Sequence, residues 1–330
     1  MCMEPGLALD HAFGHILLNH IGYPDTTVDN LLEKALTIGP YFGPERLPHR
    51  LLEQEWLKRI RNSIDSPSND DDLHLLKYSM LGRALDALGS TRFDIYAFTH
   101  AVMYTSDLGT RRPVLPRRHM DIEADAIAAL AYSFDNADYD LTVEVLLTWP
   151  MLQLPLNPAA VFAFKLLFDV GNELGFLPGS SFSVSAYNDL KGEEQSRYLL
   201  TTCYHTNYVM AFLCSAMLKP GFAPFADIPF TRTSKGASSA LTRLLVIDGP
   251  TPRWRQLLGT LGLSQQDEVA PVLLAILLRS ARTKGDLELI QKALEVAFRY
   301  KLTDGTAPIQ AALLLRQGGL LNRKLTSNGM

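Results

Sequence analysis

The feature that most constrains the fold of this chain is a helical spacing of apolar residues that recurs along nearly its whole length. In the segment HRLLEQEWLKRIRNSI, apolar residues recur at every fourth position, at Leu52, Trp56 and Ile60, with charged residues opposite. The segment DLELIQKALEVAFRYK repeats the pattern, with acidic residues early and basic residues late, as the helix dipole prefers. Alternation of apolar and polar residues never holds for more than about four residues, so no sizeable sheet is expected. The sequence therefore predicts an all-α protein.

Proline and glycine divide the chain into predicted helices. Proline occupies the first turn of several of them, at Pro158, Pro271 and Pro308. The breaks between them indicate about a dozen helices of roughly 10 to 20 residues. Two segments, FTHAVMYTSDLG and CYHTNYVMAFLC, are faintly alike and centre on His100 and His205. This echo favours helical hairpins stacked either as an (α/α) toroid or as an α-solenoid.

The domain organisation follows from the chain length and from two irregular stretches. The 330 residues suit a single large all-α domain. The Ser/Gly-rich stretch 176–196 is a candidate seam or a loop over a pocket mouth, and 220–255 is a second, Pro-rich irregular stretch. The sequence thus predicts one domain over 1–330, with 176–196 as the place where it would divide.

The composition restricts the partners and the location. The chain is 47% hydrophobic with a net charge of −4, so no electrostatic case exists for binding nucleic acid or an anionic membrane. Its most apolar stretches are only about ten residues long, roughly half of what a spanning helix needs. The N-terminus lacks the pattern of a signal peptide, and the three cysteines form no CxxC pair. A cytoplasmic protein is expected.

The leading candidate for an active site is the segment FDIYAFTHAVMYTSDLG. On a helix, His100, Tyr104 and Asp107 stand at i, i+4 and i+7 and share one face. These side chains are typical of acid–base chemistry, with His100 as the base, Asp107 as the group that orients it, and Tyr104 as an acid. The alternative is a core helix in which a buried histidine bonds a neighbour and an arginine holds the aspartate.

A second polar and aromatic face belongs to the segment TTCYHTNYVMAF. His205 is the alternative acid, and pairing with His100 across a cavity would explain a histidine in so apolar a run. Tyr208 shares the face of His205, and Tyr96 extends the face of His100. Both tyrosines are therefore predicted to contact the substrate.

Four further residues are predicted to bind the substrate. The loop RRPVLPRRH follows the His100 segment, and its Arg111 and Arg112 could hold an anionic group over the cavity or pair with Asp107. The alternative for this loop is a solvated connection between helices. Asp169 and Glu173 share a face in FKLLFDVGNELG and are the one acidic pair inside an apolar helical run.

No pattern in the sequence completes a metal or cofactor site. His11 and His15 have a spacing compatible with metal on a helix, but no further ligand motif accompanies them. A mixed site of His100, Asp107 and His205 is an open alternative. Phosphate-binding, dinucleotide-binding and nucleophile-elbow motifs are absent from the sequence. The prediction is therefore neither metal nor cofactor.

The segment THAVMYTSDLG, with YHTNYV further on, resembles an uncharacterised family of bacterial all-helical proteins that carries a Thr-His-x-x-x-Tyr-x-x-Asp-x-Gly motif. The residues that carry the resemblance are Thr99, His100, Tyr104, Asp107, Gly109 and His205. Leu108 stands where the family pattern has an aromatic residue. The resemblance covers most of the chain after residue 70 and implies no activity.

These patterns favour an enzyme. The expected chemistry is cofactor-independent acid–base work of cyclase, isomerase or lyase type, on a hydrophobic small molecule or secondary-metabolite intermediate in a helix-lined pocket. The arginines would allow an anionic substrate, and the protein partner would be a second copy or another protein of the pathway. The alternative is a non-catalytic helical-repeat protein that binds a peptide or a partner protein.

Overall fold

The computed structural model describes residues 4–37, 46–62, 69–219, 228–229, 235–246 and 249–327. Within these ranges the chain forms helices joined by turns and loops, and no strand occurs. The prediction of an all-α fold is confirmed. The stacking of hairpins as a toroid or a solenoid stays a prediction, and much of the predicted irregular stretch 220–255 lies outside the described residues.

The chain divides into two compact units. The first consists of Met1–Arg83 and His100–Arg118, and the second consists of Ala84–Thr99 and His119–Met330. The predicted seam at 176–196 lies within the second unit, where it includes one short helix. A single large domain stays a prediction, and each unit is described by itself below.

The first unit is a set of helices around one long amphipathic helix. Its helices are α1 (Ala8–His11), α2 (Phe13–His20), α3 (Thr26–Thr37), α4 (Pro48–Asn62) and α5 (Asn69–Tyr78), with the last residues of α6 (Arg92–Thr105). Helix α4 packs against α1, α2 and α5. It buries Leu52, Trp56 and Leu57, so the four-residue spacing of the sequence indicates its inward face.

The second unit contains the first residues of α6 and the remaining helices. These are α7 (His119–Asp135), α8 (Tyr139–Leu146), α9 (Thr148–Met151), α10 (Pro158–Leu174), α11 (Val184–Asp189), α12 (Glu193–Met217), α13 (Ala237–Leu244), α14 (Arg253–Thr260), α15 (Leu263–Glu268), α16 (Ala270–Lys284), α17 (Leu287–Arg299) and α18 (Thr306–Ser327). Helix α16 is apolar along most of its length and packs against α7, α13, α17 and α18. No helix in the described part of the chain is long and apolar enough to cross a membrane.

Helix α8 is the element that places acidic groups inside the second unit. It packs against α7, α10 and α12, and every residue from Asp140 to Leu146 is buried. Asp138 caps its N-terminus by accepting a hydrogen bond from the Leu141 backbone N–H at 3.0 Å. The apolar residues of α8 explain its burial, whereas Asp140 and Glu144 must find partners to offset their lost hydration.

Candidate functional site

Two carboxylates and one imidazole converge within the second unit. Asp140 and Glu144 lie one turn apart on α8, and His205 lies on α12. One nitrogen or oxygen atom from each side chain lies within 4.8 Å of the corresponding atoms of the other two. We refer to these three residues as the α8–α12 cluster.

Asp140 is the centre of the α8–α12 cluster. One carboxylate oxygen accepts hydrogen bonds from His205 Nδ1 at 2.7 Å and from the Thr206 hydroxyl at 2.9 Å. The other oxygen accepts from the Arg92 guanidinium at 3.0 Å. Burial by itself would raise the pKa of Asp140, but the bonds from His205 and Thr206 and the charge of Arg92 outweigh it and lower the pKa. Asp140 is therefore held as a carboxylate.

His205 is oriented by Asp140 and remains accessible. Its side chain is 47% exposed although its partner is buried. The hydrogen bond to Asp140 raises the pKa of His205 above its ordinary value, in spite of the opposing effect of desolvation. Because Nδ1 bonds Asp140, the second ring nitrogen, Nε2, is the one that can face a ligand, and it has no hydrogen-bond partner in the described part of the chain.

Glu144 is the most deeply buried acid of the α8–α12 cluster, with 3% of its surface exposed. The Thr99 hydroxyl donates to one of its oxygens at 2.8 Å. Burial raises the pKa of Glu144 to about 7, more than the Thr99 hydrogen bond lowers it, and the nearby charge of Asp140 raises it further. Glu144 can therefore gain and lose a proton near neutral pH.

The α8–α12 cluster suits acid–base chemistry better than cation binding. A carboxyl group with a pKa raised to about 7, beside an imidazole held by a carboxylate, is what proton transfer to and from a substrate requires. Two carboxylates and a histidine are also a donor set that metals use. However, the Arg92 guanidinium brings a positive charge to Asp140, and the oxygens of Asp140 already accept three hydrogen bonds.

The predicted catalytic residues His100 and Tyr104 lie in the first unit. His100 is buried, and its ring meets those of His49 and Tyr104 edge-on, with centroids 6.4 and 5.8 Å apart. The Tyr104 hydroxyl donates to the buried Glu53 at 2.8 Å. Because His205 belongs to the second unit, the pairing of His100 with His205 stays a prediction.

Asp107 does not lie on the helix that the sequence predicted for it. Helix α6 ends at Thr105, and Asp107 has a φ of 50° in the following turn, so the prediction of one helical face for all three side chains is wrong for Asp107. Its carboxylate accepts from the Trp56 indole and from the Thr110 hydroxyl, each at 2.7 Å. The indole holds the carboxylate where the sequence predicted Arg111 or Arg112.

The predicted substrate-binding residues are spread over both units. Arg111 is half-buried and Arg112 exposed in the segment after α6, and Tyr96 is half-buried on α6. Tyr208 is exposed on α12. Asp169 and Glu173 are exposed on α10 and line a cavity of about 470 Å³, where Glu173 forms an ion pair with Arg253. Their roles in binding stay predictions.

The N-terminal histidines have separate partners. His11 bonds Glu4 at 3.0 Å, and His15 bonds Asp29 at 2.8 Å. The two rings are therefore engaged by different carboxylates and form no common ligand set in the described structure.

Asp140 and Glu144 are the site residues that the sequence patterns did not predict. The run DNADYD reads as a turn between helices, and only Asn136, Ala137 and Asp138 behave in that way. One signal was present, because Glu144 interrupts the apolar run LTVEVLL four residues after Asp140. An acidic pair at this spacing shares one helical face even where that face is buried.

One family model matches the chain. It carries the description Domain of unknown function (DUF6895) and matches residues 1–215. The chain belongs to the DUF6895 family. No curated protein and no solved structure matches the chain. The DUF6895 match includes Asp140, Glu144 and His205, so the α8–α12 cluster lies entirely within the matched segment.

Proposed function

We propose that the protein is an enzyme that performs acid–base chemistry at the α8–α12 cluster. The observation that carries this proposal is the hydrogen bond between His205 Nδ1 and the buried Asp140, which leaves Nε2 of a half-exposed ring available to a ligand. An imidazole oriented by a carboxylate is a recurring form of the general base. The reaction classes that fit are cyclisation, isomerisation and elimination.

The proposed reaction moves two protons. His205 Nε2 takes a proton from a substrate carbon, and Asp140 stabilises the resulting imidazolium. Glu144, in its protonated form, supplies a proton to the leaving oxygen in an elimination or to a second carbon in an isomerisation. A Glu144 oxygen lies within 4.8 Å of a His205 ring nitrogen, so the acid and the base can serve one small substrate. His205 ends with one proton more and Glu144 with one proton fewer, so proton transfer from His205 to Glu144 after product release restores both groups.

The proposal extends to the setting of the reaction. A hydrophobic small molecule, with or without an anionic group, is the proposed substrate, and the cytoplasm is the proposed location. A second copy of the chain or another enzyme of the pathway is the proposed protein partner. The cysteine spacing, the low net charge and the absence of metal and cofactor motifs from the sequence support this setting.

The test is turnover of an untargeted metabolite extract, followed by liquid chromatography and mass spectrometry. Wild-type protein is compared with His205→Asn and Asp140→Asn, and with His74→Asn as the matched control, because His74 is an exposed histidine outside the α8–α12 cluster. We expect a product peak that falls by about a hundredfold or more in the two cluster variants. It should persist in His74→Asn and after treatment with a chelator. Equal turnover by His205→Asn would contradict the proposal.

A binding protein without catalysis is the second candidate, and one observation favours it. Leu200, Tyr204 and Tyr208 recur at every fourth residue of α12, and all three are exposed. Such a stripe suits the face that a helical protein presents to a partner. If wild-type protein converts no metabolite while Tyr204→Ala abolishes capture of a protein partner, this candidate replaces the enzyme.

A further inference from the structure

A cavity of about 350 Å³ in the second unit is lined by both polar and apolar side chains. Tyr139 and Thr142 of α8, Leu166 of α10 and Trp254 of α14 contribute to its lining. The volume falls within the usual range for sites that hold small molecules. Prolines at the start of α14 supply further apolar surface.

Trp254 contributes a polar group that has no partner among the described residues. The residue is 2% exposed, and its indole N–H is buried without a hydrogen-bond acceptor in the described part of the chain. The other two tryptophans differ, because Trp56 donates to Asp107 at 2.7 Å and Trp149 donates to Glu123 at 3.1 Å. A buried donor without an acceptor destabilises the folded protein, and a hydrogen bond to a ligand oxygen would relieve that cost.

Tyr139 adds a second donor to the same cavity. Its hydroxyl forms no hydrogen bond with any residue that the structure describes. Burial raises the pKa of Tyr139, so the phenol remains protonated and able to donate at physiological pH. Two of the residues that line the cavity thus carry hydrogen-bond donors with no acceptor in the described part of the chain.

The charges around the cavity disfavour an anionic ligand. Arg253 lines the wall, but Glu173 engages its guanidinium through two hydrogen bonds. Asp135 also lines the cavity. Among the lining residues, the guanidinium is thus already engaged by a carboxylate and a further carboxyl group is present, so a neutral acceptor suits the two donors better than a carboxylate does.

We propose that this cavity binds a small neutral molecule with an apolar body and a carbonyl oxygen that accepts hydrogen bonds from the Trp254 indole and the Tyr139 hydroxyl. The site is separate from the α8–α12 cluster. Tyr139 and Thr142 stand three residues apart and share one face of α8, whereas Asp140 and Glu144 share another. A ligand here would contact the helix that carries the cluster from a different side.

The test follows the indole N–H signals of the full-length protein by two-dimensional NMR. The probe is the neutral ketone 1-indanone, compared with the hydrocarbon indane and with the anion indane-1-carboxylate. We expect 1-indanone to shift the Trp254 signal downfield in a saturable way. The Trp56 and Trp149 signals serve as internal controls and should not move, because both indoles already donate to carboxylates.

Tyr139→Phe separates the role of the hydroxyl from packing. Its ring is retained, so the fold should be preserved, and the affinity for 1-indanone should fall about three- to tenfold. Three results would overturn the proposal: no probe shifts the Trp254 signal, indane binds as tightly as 1-indanone, or the carboxylate binds more tightly than the ketone.

Discussion

Glu144 is a single buried carboxyl group whose surroundings disfavour its charge. It lies on α8 among apolar residues and receives a hydrogen bond from Thr99. Burial and the neighbouring Asp140 together raise its pKa to about 7. Such a group stabilises the folded protein only while it is protonated, which makes its titration visible in the stability of the molecule.

Glu144→Gln should change the pH dependence of the free energy of unfolding. Between pH 4.5 and about 7, folded wild-type protein binds more protons at Glu144 than the unfolded chain does. Its stability therefore falls as pH rises through this window, by about 3 kcal/mol in all. Glutamine cannot ionise. The free energy of unfolding of the variant, relative to that of wild type, should therefore increase by about this amount as the pH rises from 4.5 to 8. Urea unfolding at several pH values measures the difference.

The control for this prediction is Glu295→Gln, which alters an exposed carboxyl group on α17. Its free energy of unfolding should follow that of wild type at each pH. A constant difference between Glu144→Gln and wild type across the pH range would mean that Glu144 is not held in a raised-pKa environment.

Tyr104→Phe should destabilise the first unit. The variant removes the hydroxyl that donates to Glu53 and leaves that buried carboxyl group with one donor fewer. The expected cost is about 1–2 kcal/mol in urea unfolding. Tyr208→Phe removes an exposed hydroxyl and should stay within about 0.5 kcal/mol of wild type. Similar changes in the two variants would show that the Tyr104–Glu53 hydrogen bond contributes nothing.

At the residue scale, the sequence indicates which residue types matter, but it does not indicate which side chains contact each other. His205 stood out from the sequence because it interrupts an apolar run. Its partner Asp140 is 65 residues away along the chain, and Trp56 is 51 residues from Asp107. Local spacing cannot predict such pairs, because they arise only when helices distant along the chain pack together.

At the scale of the element, the N-terminal cap of α8 bonds both the helix backbone and an arginine side chain. Asp138 accepts from the Leu141 N–H and also from Arg92 Nε at 2.8 Å. Asp286 caps α17 in a nearly identical backbone conformation, with its side chain accepting from the Leu289 N–H at 2.8 Å. The two caps therefore differ mainly in the additional bond to an arginine and in burial.

Asp138→Ala should cost more than Asp286→Ala. The loss of a cap alone is worth about 1 kcal/mol, which is the cost expected at Asp286. Asp138→Ala also removes a charge-assisted bond to Arg92, so about 2–3 kcal/mol is expected there. Chemical denaturation of both variants gives the comparison. Equal costs would show that Arg92 does not stabilise the start of α8.

Helix positions were predictable where apolar spacing and proline agree. Pro158 begins α10 after the Asn157 cap, and Pro271 lies in the first turn of α16. The end of α6 was not predictable from spacing alone. Asp107 and Leu108 adopt positive φ values before Gly109, a conformation that non-glycine residues rarely choose without support from their surroundings.

At the scale of the whole molecule, the DUF6895 match and the second unit have different extents. The match ends at residue 215, whereas the second unit continues through α13 to α18. Helix α16 packs against α7, and its Arg279 donates to the carbonyl oxygens of Ala87 and Ser90 at 2.9 and 3.2 Å. Thr306 of α18 donates to the buried Asp125 at 3.0 Å. The core of the second unit thus depends on residues beyond the match.

A fragment of residues 1–215 should therefore fail to fold cooperatively. It would expose the face of α7 that α16 covers and would remove the donors Arg279 and Thr306. Near-ultraviolet circular dichroism during urea unfolding distinguishes the fragment from the full chain. We expect a broad transition for the fragment and a sharp one for the full chain. A sharp transition in the fragment would show that the family segment is an independent folding unit.

The all-α class was predictable from the sequence as a whole, because periodic apolar spacing is repeated in many segments. The division into two units was not predictable in the same way. One of its three boundaries falls inside α6, between Thr99 and His100, where no proline, glycine or linker marks it. Sequence composition signals linkers between units but carries no mark when one continuous helix contributes residues to both.

The most direct test of the central claim is a pH titration of His205 and Glu144 in the intact protein. NMR of the imidazole and carboxyl groups monitors the titration. The structure predicts that the pKa of His205 lies above its ordinary value of 6.5 and that the pKa of Glu144 lies near 7. Asp140→Asn should return the pKa of His205 towards 6.5, because the hydrogen bond to Asp140 is the main cause of its shift. A His205 that titrates at or below 6.5 in wild-type protein, or a Glu144 that titrates near 4.5, would contradict the acid–base site.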